Sequence, residues 1–255
     1  MKRIGQLTLI ANTLALIGTS VTATAETIYS ENFDSGTPGQ SLLDPQYGFT
    51  INTDPAYPGP YDMHLAPSQH GWTGNSIIGS AAAEGQSNEL EKFLPMPEHG
   101  VIKFSADLYA FAQDGGVGIR LRHGTSSDPD PMSFSVGGGF YGFWESSCET
   151  EPRGIWDSPI GMHDVPVHVA LYWNQDTGEN WAEVSDGVSM FASPHNFHPG
   201  SGPMNAIDLA IDRRYSNVGG DIDNLKVEAF PVPEPASLGA FGIGIAALAF
   251  RFLRR

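Results

Sequence analysis

Between Glu26 and Phe230, apolar and polar side chains alternate with period two. From Val101 to Phe111, Ile102, Phe104, Ala106, Leu108 and Ala110 share one face, and Lys103, Ser105, Asp107 and Tyr109 take the other. Val117, Ile119 and Leu121 alternate with Arg120 and Arg122. Val167, Val169, Leu171 and Trp173 form a third set, and Ile207, Leu209 and Ile211 a fourth, set against Asp208, Ala210 and Asp212. Period two marks a strand with one buried face, and no stretch here keeps a helical period instead. Clusters of Gly, Pro, Asp and Ser separate the runs, at Asp114-Gly115-Gly116, Ser126 to Pro131, Asn174 to Gly178 and Pro199 to Pro203. This pattern predicts an all-β fold, an antiparallel β-sandwich or barrel, and about 200 residues suits one large sandwich better than two small domains. The stretch from Gly36 to Gly74 is rich in Pro, Gly, Asp and Tyr and predicts loops with a few short strands. Loops on a rigid sandwich often carry function.

The two ends break the pattern. Met1-Lys2-Arg3, an apolar run from Leu7 to Val21 and Ala23-Thr24-Ala25 together predict a secretory signal peptide over 1–25, cleaved after Ala25. At the other end, Pro231-Val232-Pro233-Glu234-Pro235-Ala236-Ser237 leads into an uncharged stretch, Leu238 to Phe250, closed by Arg251-Phe252-Leu253-Arg254-Arg255. A Pro-rich spacer, a short apolar helix and a basic end predict a membrane stop with its terminus in the cytoplasm. The helix is short for a hydrocarbon core of about 30 Å, which suits temporary residence better than a durable anchor. These residues resemble the PEP-CTERM sorting signal, through Pro233-Glu234-Pro235, the apolar helix and the Arg-rich end in that order. The resemblance covers Pro231 to Arg255. It implies export by a Gram-negative bacterium, a transient hold in the inner membrane, recognition by an exosortase, removal of the tail, and release to the cell surface or matrix. Bacteria with this system often make exopolysaccharide. The chain thus divides into 1–25, a domain over 26–230, and a tail over 231–255.

Tyr29-Ser30-Glu31-Asn32-Phe33-Asp34 opens the middle domain, and Gly220-Asp221-Ile222-Asp223-Asn224-Leu225-Lys226-Val227 closes it. These two strands resemble jelly-roll domains of the concanavalin-like and carbohydrate-binding-module type. Val165 to Trp173 is similar to the central strand of laminin-G-like domains. Glu31 shares strand parity with Tyr29 and Phe33, and Asp223 shares parity with Leu225 and Val227, so both carboxylates are expected on the apolar side. An unpartnered buried charge is costly, and Ca²⁺, which takes six to eight oxygen ligands, would resolve it. The resemblance implies such a structural Ca²⁺ between first and last strands, with Glu31, Asp34 and Asp223 as candidate ligands. A bulge in either strand would instead turn its carboxylate outward.

Composition narrows the function classes. The chain has 13 Lys and Arg against 29 Asp and Glu, a net charge of −16. That argues against nucleic acid as a partner, since phosphates call for a basic footprint. Five of the bases, Lys2, Arg3, Arg251, Arg254 and Arg255, lie in the predicted ends, so the exported part is more acidic still. Hydrophobic residues at 40 % against 16 % charged exclude a disordered acidic tail. A single Cys, Cys148, excludes an intrachain disulfide framework.

Aromatic rings beside polar groups are natural platforms for sugars. Trp72 and Trp144, in Gly-rich contexts, and Tyr109, on the polar face of its strand, are the candidate ligand-binding residues, whereas Trp173 reads as core. For catalysis, a glycosidase needs two carboxylates flanking the bond. Glu179 and Glu183 would share a strand face about 13 Å apart, too far for that role. The Glu-x-Asp-x-x-Glu signature of the resembled glucanases is missing. His195 and His198 lie in a Pro-bounded loop, and His163 and His168 lie five apart, without the supporting ligands of a zinc site. No Gly-x-Ser-x-Gly elbow or phosphate loop occurs. The expectation is a non-catalytic surface or matrix protein that binds polysaccharide or contributes to matrix structure, with Ca²⁺ as its structural ion. A glycoside hydrolase or lyase on the same scaffold is the alternative, followed by a matrix protein without a specific ligand.

Overall fold

The alternation becomes sixteen strands among the residues described by the computed structural model, which are 24–51, 63–68, 70–79, 86–111, 115–124, 132–137, 142–145, 153–160, 164–198, 202–213 and 219–231. They are β1 (Glu26–Glu31), β2 (Thr50–Ile51), β3 (Met63–Pro67), β4 (Asn75–Gly79), β5 (Gln86–Phe93), β6 (Val101–Ala110), β7 (Gly115–Arg122), β8 (Met132–Gly137), β9 (Gly142–Glu145), β10 (Arg153–Asp157), β11 (Val167–Asn174), β12 (Glu179–Ser185), β13 (Met190–Ala192), β14 (Asn196–Phe197), β15 (Ala206–Arg213) and β16 (Gly220–Phe230). The strand pairings among the described residues are antiparallel and form two sheets. The first runs β13-β12-β11-β6-β16-β4-β3, with β1 also on β16 and β14 also on β12. The second runs β10-β9-β8-β7-β15-β5-β2. Ala25–Phe230 forms a compact unit of its own. The predicted signal peptide up to Ala23, the tail with Pro233, Glu234 and Pro235, and Cys148 and His163 lie outside the described residues. Among the described residues no helix is long and apolar enough to cross a membrane.

The core is the set of inward faces that the alternation marks out. Phe104, Leu108, Val169, Leu171 and Trp173 from the first sheet meet Ile119, Leu121, Leu209 and Ile211 from the second, all fully buried. Burying such side chains is worth about 1.5–3 kcal/mol each before chain entropy is counted. The β11–β12 turn is where Asn174 to Gly178 predicts it. Asn174 Oδ1 accepts from the N–H groups of Asp176 (2.9 Å) and Thr177 (3.2 Å), and Gly178 takes φ 71°. In the Gly36–Gly74 stretch, Leu42, Tyr47 and Phe49 reach the core from loops, with β2 and β3 as the short strands.

One local irregularity positions the candidate site. Asp223 opposes Asp107 of β6, and the next registered pair is Lys226 with Ser105, so β16 is bulged between them. Asn224 sits in the bulge at φ 52°, a left-handed conformation that Asn tolerates better than most residues. The bulge reverses parity. Leu225 and Val227 face the core, whereas Asp223 shares the outer face with Asp107. The expectation that Asp223 points to the apolar side is therefore corrected. Its burial comes from neighbours on the outer face. Replacing Asn224 by Ala removes its side-chain bond to Asp107 and strains the bulge. We expect a loss of about 1–2 kcal/mol in urea unfolding, with Asn224→Gly recovering the backbone part only.

Candidate functional site: an acidic and aromatic patch on the first sheet

Two cross-strand pairs lie side by side on the outer face of the first sheet, Tyr109 opposite Asp221 and Asp107 opposite Asp223. Like charges directly opposite one another repel, and local donors relieve the Asp107–Asp223 pair. Asn224 donates its N–H to Asp223 Oδ1 and its side-chain amide to Asp107 Oδ2, both at 2.7 Å. His168 Nδ1 stands 2.7 Å from Asp107 Oδ1. Burial pushes the Asp223 carboxyl up to about 7, and the charges of Asp107, Asp34 and Asp221 push the same way against the Asn224 N–H. Burial likewise pushes Asp221 up to about 6, opposed by the Ser76 hydroxyl.

Two loops close over these carboxylates. The first follows β1, where Phe33 is fully buried at φ 59° and Glu31 Oε1 accepts the Phe33 N–H at 3.0 Å. Asn75 of β4 ties this loop down by donating to the carbonyls of Phe33 (3.3 Å) and Gly36 (2.9 Å). The second connects β3 to β4 and is closed by Ser68 N–H bonding Gly74 O at 3.0 Å. Gly74 takes φ 76° and packs so closely on Asp34 that a Cβ there would lie 1.6 Å from Asp34 Oδ1. Only Gly satisfies both demands. The second loop places His70 flat on the Tyr109 ring, centroids 3.4 Å apart. Trp72 at 5.9 Å and Phe111 at 5.1 Å meet the imidazole edge to face. His70 Nε2 lies 3.0 Å from Asp221 Oδ2 without the alignment of a hydrogen bond. Burial lowers the His70 pKa, with Asp164 opposing. Asp164 also accepts the Tyr109 hydroxyl at 3.3 Å.

Trp72 and Tyr109, far apart in sequence, thus meet around His70, and Asp34 and Asp223 come within electrostatic reach of each other. Two residues stand apart. Trp144 occupies the register position opposite Ser133 on β9, in the second sheet. Glu31 opposes the core-facing Leu225; burial lowers the Lys92 pKa, and the charge of Glu31 opposes that shift. Lys92 Nζ lies 4.9 Å from the Tyr29 ring centroid and 5.4 Å from that of Phe49. Glu31 therefore already has a cation on its own side of the sheet. Among the described residues no group of three or more His, Cys, Asp or Glu side chains is arranged to hold a metal ion. An ion here would rest on Asp223 and Asp34 together with carbonyl or water oxygens, and Glu31 does not fit.

The remaining candidates are occupied by structural work. Glu179 pairs with His195 at 2.8 Å, and Glu183 accepts the Tyr172 hydroxyl at 2.8 Å. Tyr172, Trp181 and His195 form one continuous stack, with centroid spacings of 4.7 and 4.5 Å. On the second sheet, Arg120 binds Glu89 (2.7 Å) and Asp208 (3.5 Å), and Arg122 binds Asp208 (3.0 Å). Asp208, Glu89 and Arg122 are all buried although they lie on the outer face. Sequence reasoning passes over His70, because a lone His in a loop carries no period. The Arg–Asp network is visible only as three polar alternates on two strands.

Comparison with known proteins adds the route and the fold. Residues 231–255 match the PEP-CTERM protein-sorting motif. The chain carries an exosortase sorting signal. This motif indicates an exported protein handled at a membrane-associated exosortase. A search of curated proteins finds no match. Among solved structures, the chain is similar to an endo-1,3-beta-glucanase from Streptomyces sioyaensis (13 % identity, 84 % of this chain and 100 % of that one, TM-score 0.52). It is also similar to the carbohydrate esterase vb_24B_21 from the Shiga toxin-encoding bacteriophage phi24B (10 % identity, 81 % and 99 %, TM-score 0.51). The globular domain of T. cruzi calreticulin aligns at 13 % identity over 90 % and 99 %, with TM-score 0.50. At these identities the likeness concerns the jelly-roll fold alone.

Proposed function

We propose that the exported, exosortase-sorted chain is a non-catalytic carbohydrate-binding protein of the cell surface or matrix, and that the patch around Trp72 and Tyr109 is its binding face. One observation carries the reading. The fold gathers Trp72, Tyr109 and Phe111 with several carboxylates on one sheet face, the mix of ring and acceptor that sugars require. A Ca²⁺ ion on Asp223 and Asp34 would neutralise the acidic side of that face and fix the loop after β1.

The alternative, a glycan-cleaving enzyme, has one observation in its favour. Glu91 opposes Asp208 on neighbouring strands of the second sheet, and cross-strand side chains start about 5 Å apart, close to the spacing of a retaining glycosidase. Both arginines engage Asp208, however, which leaves it poorly placed to meet a substrate.

Retention on a polysaccharide panel, with polymer chain length followed in parallel, tests both. We expect retention by at least one polymer, unchanged chain length, and roughly tenfold weaker binding by Trp72→Ala, in line with about 1–3 kcal/mol for a stacking ring. Retention untouched by Trp72→Ala would remove the patch, and shortened chains would replace the binder with the enzyme.

A further inference from the structure

His70 is an unusual occupant for the place it fills. Its ring lies on Tyr109, is flanked edge to face by Trp72 and Phe111, and meets Asp221 at its Nε2 edge. Remove the imidazole in thought, and what remains is a recess with aromatic walls over a carboxylate. The Asp221 side chain is 2 % exposed, and although the Ser76 hydroxyl is close enough to act on it, its Oδ1 makes no well-aligned hydrogen bond among the described residues. Asp164 adds a second negative charge at the rim, close enough to bond the Tyr109 hydroxyl and to act on His70. Aromatic faces and carboxylates together select a positively charged group of modest size, because the ring quadrupole and the anions attract it alike. They disfavour anionic sugars.

We infer that this recess is a binding site for an ammonium group, such as that of an amino sugar or a quaternary amine, and that His70 is a tethered plug which the ligand displaces. The imidazole mimics the ligand by its flat contact with Tyr109 and its approach to Asp221. It is an imperfect mimic, since Nε2 is not aligned for a hydrogen bond. The loop that carries the plug turns at Gly71 and Gly74, at φ 81° and 76°, a backbone conformation that Gly adopts without strain. Binding is then weakened by the fraction of molecules in which His70 is seated, and removing the plug strengthens it. The inference rests on the patch being a ligand face and narrows the ligand to cationic groups.

The test titrates the full exported chain, at constant Ca²⁺, with choline and with its neutral isostere 3,3-dimethylbutan-1-ol. Parallel titrations use the glucosamine trimer and the N-acetylglucosamine trimer. Choline is expected to bind at least about tenfold more tightly than the isostere. His70→Ala is expected to tighten choline about tenfold, and Asp221→Asn to weaken it by a similar factor in both backgrounds. Asp186→Asn, in the exposed turn after β12, is expected to change nothing and controls for general acidity. Thermal melts show that each variant is folded, and Trp72→Ala replaces any that is not, with weaker choline binding expected. A folded His70→Ala that binds choline no better than the parent overturns the plug, and equal binding of choline and isostere overturns the ammonium site. If only the acetylated trimer binds, the ammonium inference fails and the carbohydrate reading survives. If choline binds and neither trimer does, the reverse holds.

Discussion

Asp208→Asn is expected to lower the melting temperature of the exported chain by on the order of 10 °C. The substitution keeps the shape of the side chain and removes its charge from between Arg120 (3.5 Å) and Arg122 (3.0 Å). Arg122 is 3 % exposed, so little water is at hand to replace the lost partner. Breaking a buried pair by removing one member costs about 3–5 kcal/mol, and a domain of this size loses about 2–4 °C per kcal/mol. Arg122→Met is expected to cost a similar amount by taking from Asp208 the arginine at 3.0 Å. The double variant Arg122→Met/Asp208→Leu is expected to cost less than the two singles together, because it removes both charges at once. Calorimetry of the four proteins checks this. A fall below about 1 kcal/mol for both singles would mean that the network is solvated and carries little of the fold.

The second large effect is a change of sign. Asp223 titrates near 7 in the fold against an ordinary value of 3.8. The folded state therefore holds this proton more tightly than the unfolded chain does. The resulting stability is present at low pH and is lost as pH rises from about 4 to about 7, because only the folded carboxyl is still protonated in that window. Asp221, near 6, adds to the same trend. In chelator at pH 8, Asp223→Asn is thus expected to stabilise the chain by about 1–2 kcal/mol, after allowance for water around the exposed Asp34 and Asn224. Calcium should reverse the order. An ion bound by the folded state alone adds about 2.7 kcal/mol at a hundredfold excess over its dissociation constant, and the Asn variant forgoes that gain. The calcium effect should also be larger at pH 8 than at pH 5.5, since the ion and the proton compete for the same oxygens. Thermal melts of both proteins at the two pH values, with calcium and with chelator, read all of this. If calcium leaves the parent unmoved at pH 8, no ion sits on Asp223. If Asp223→Asn does not stabilise in chelator, the carboxylate is not under the strain described.

Much of the fold is legible in the residues because strand periodicity is local. Phe104 and Leu108, or Leu209 and Ile211, lie two or four positions apart, and each strand declares its buried face without knowing its neighbour. The Asn174–Gly178 turn is equally local, since Asn174 bonds residues two and three ahead. The site is less legible. Parity carried from Val227 and Leu225 back to Asp223 fails at Asn224, where one residue at φ 52° turns the preceding carboxylate to the other face. The alternation of Tyr109 and Asp107 marks a polar face correctly, but nothing near them in sequence announces that a loop some forty residues earlier will lay His70 on that face.

The sequence by itself determined the faces of the unbulged strands, the turns between them and the sorting signal over 231–255, because each depends on neighbours along the chain. Only the tertiary structure decided which charges share a site. Glu31 acts on Lys92 across from the other sheet, Asp223 joins Asp34, Asp107 and Asp221, and Asp208 meets two arginines from another strand. Those partnerships, and the burial that shifts the Asp221 and Asp223 titrations, depend on register, on one bulge and on loops folding over a sheet. These are long-range properties that no local pattern encodes.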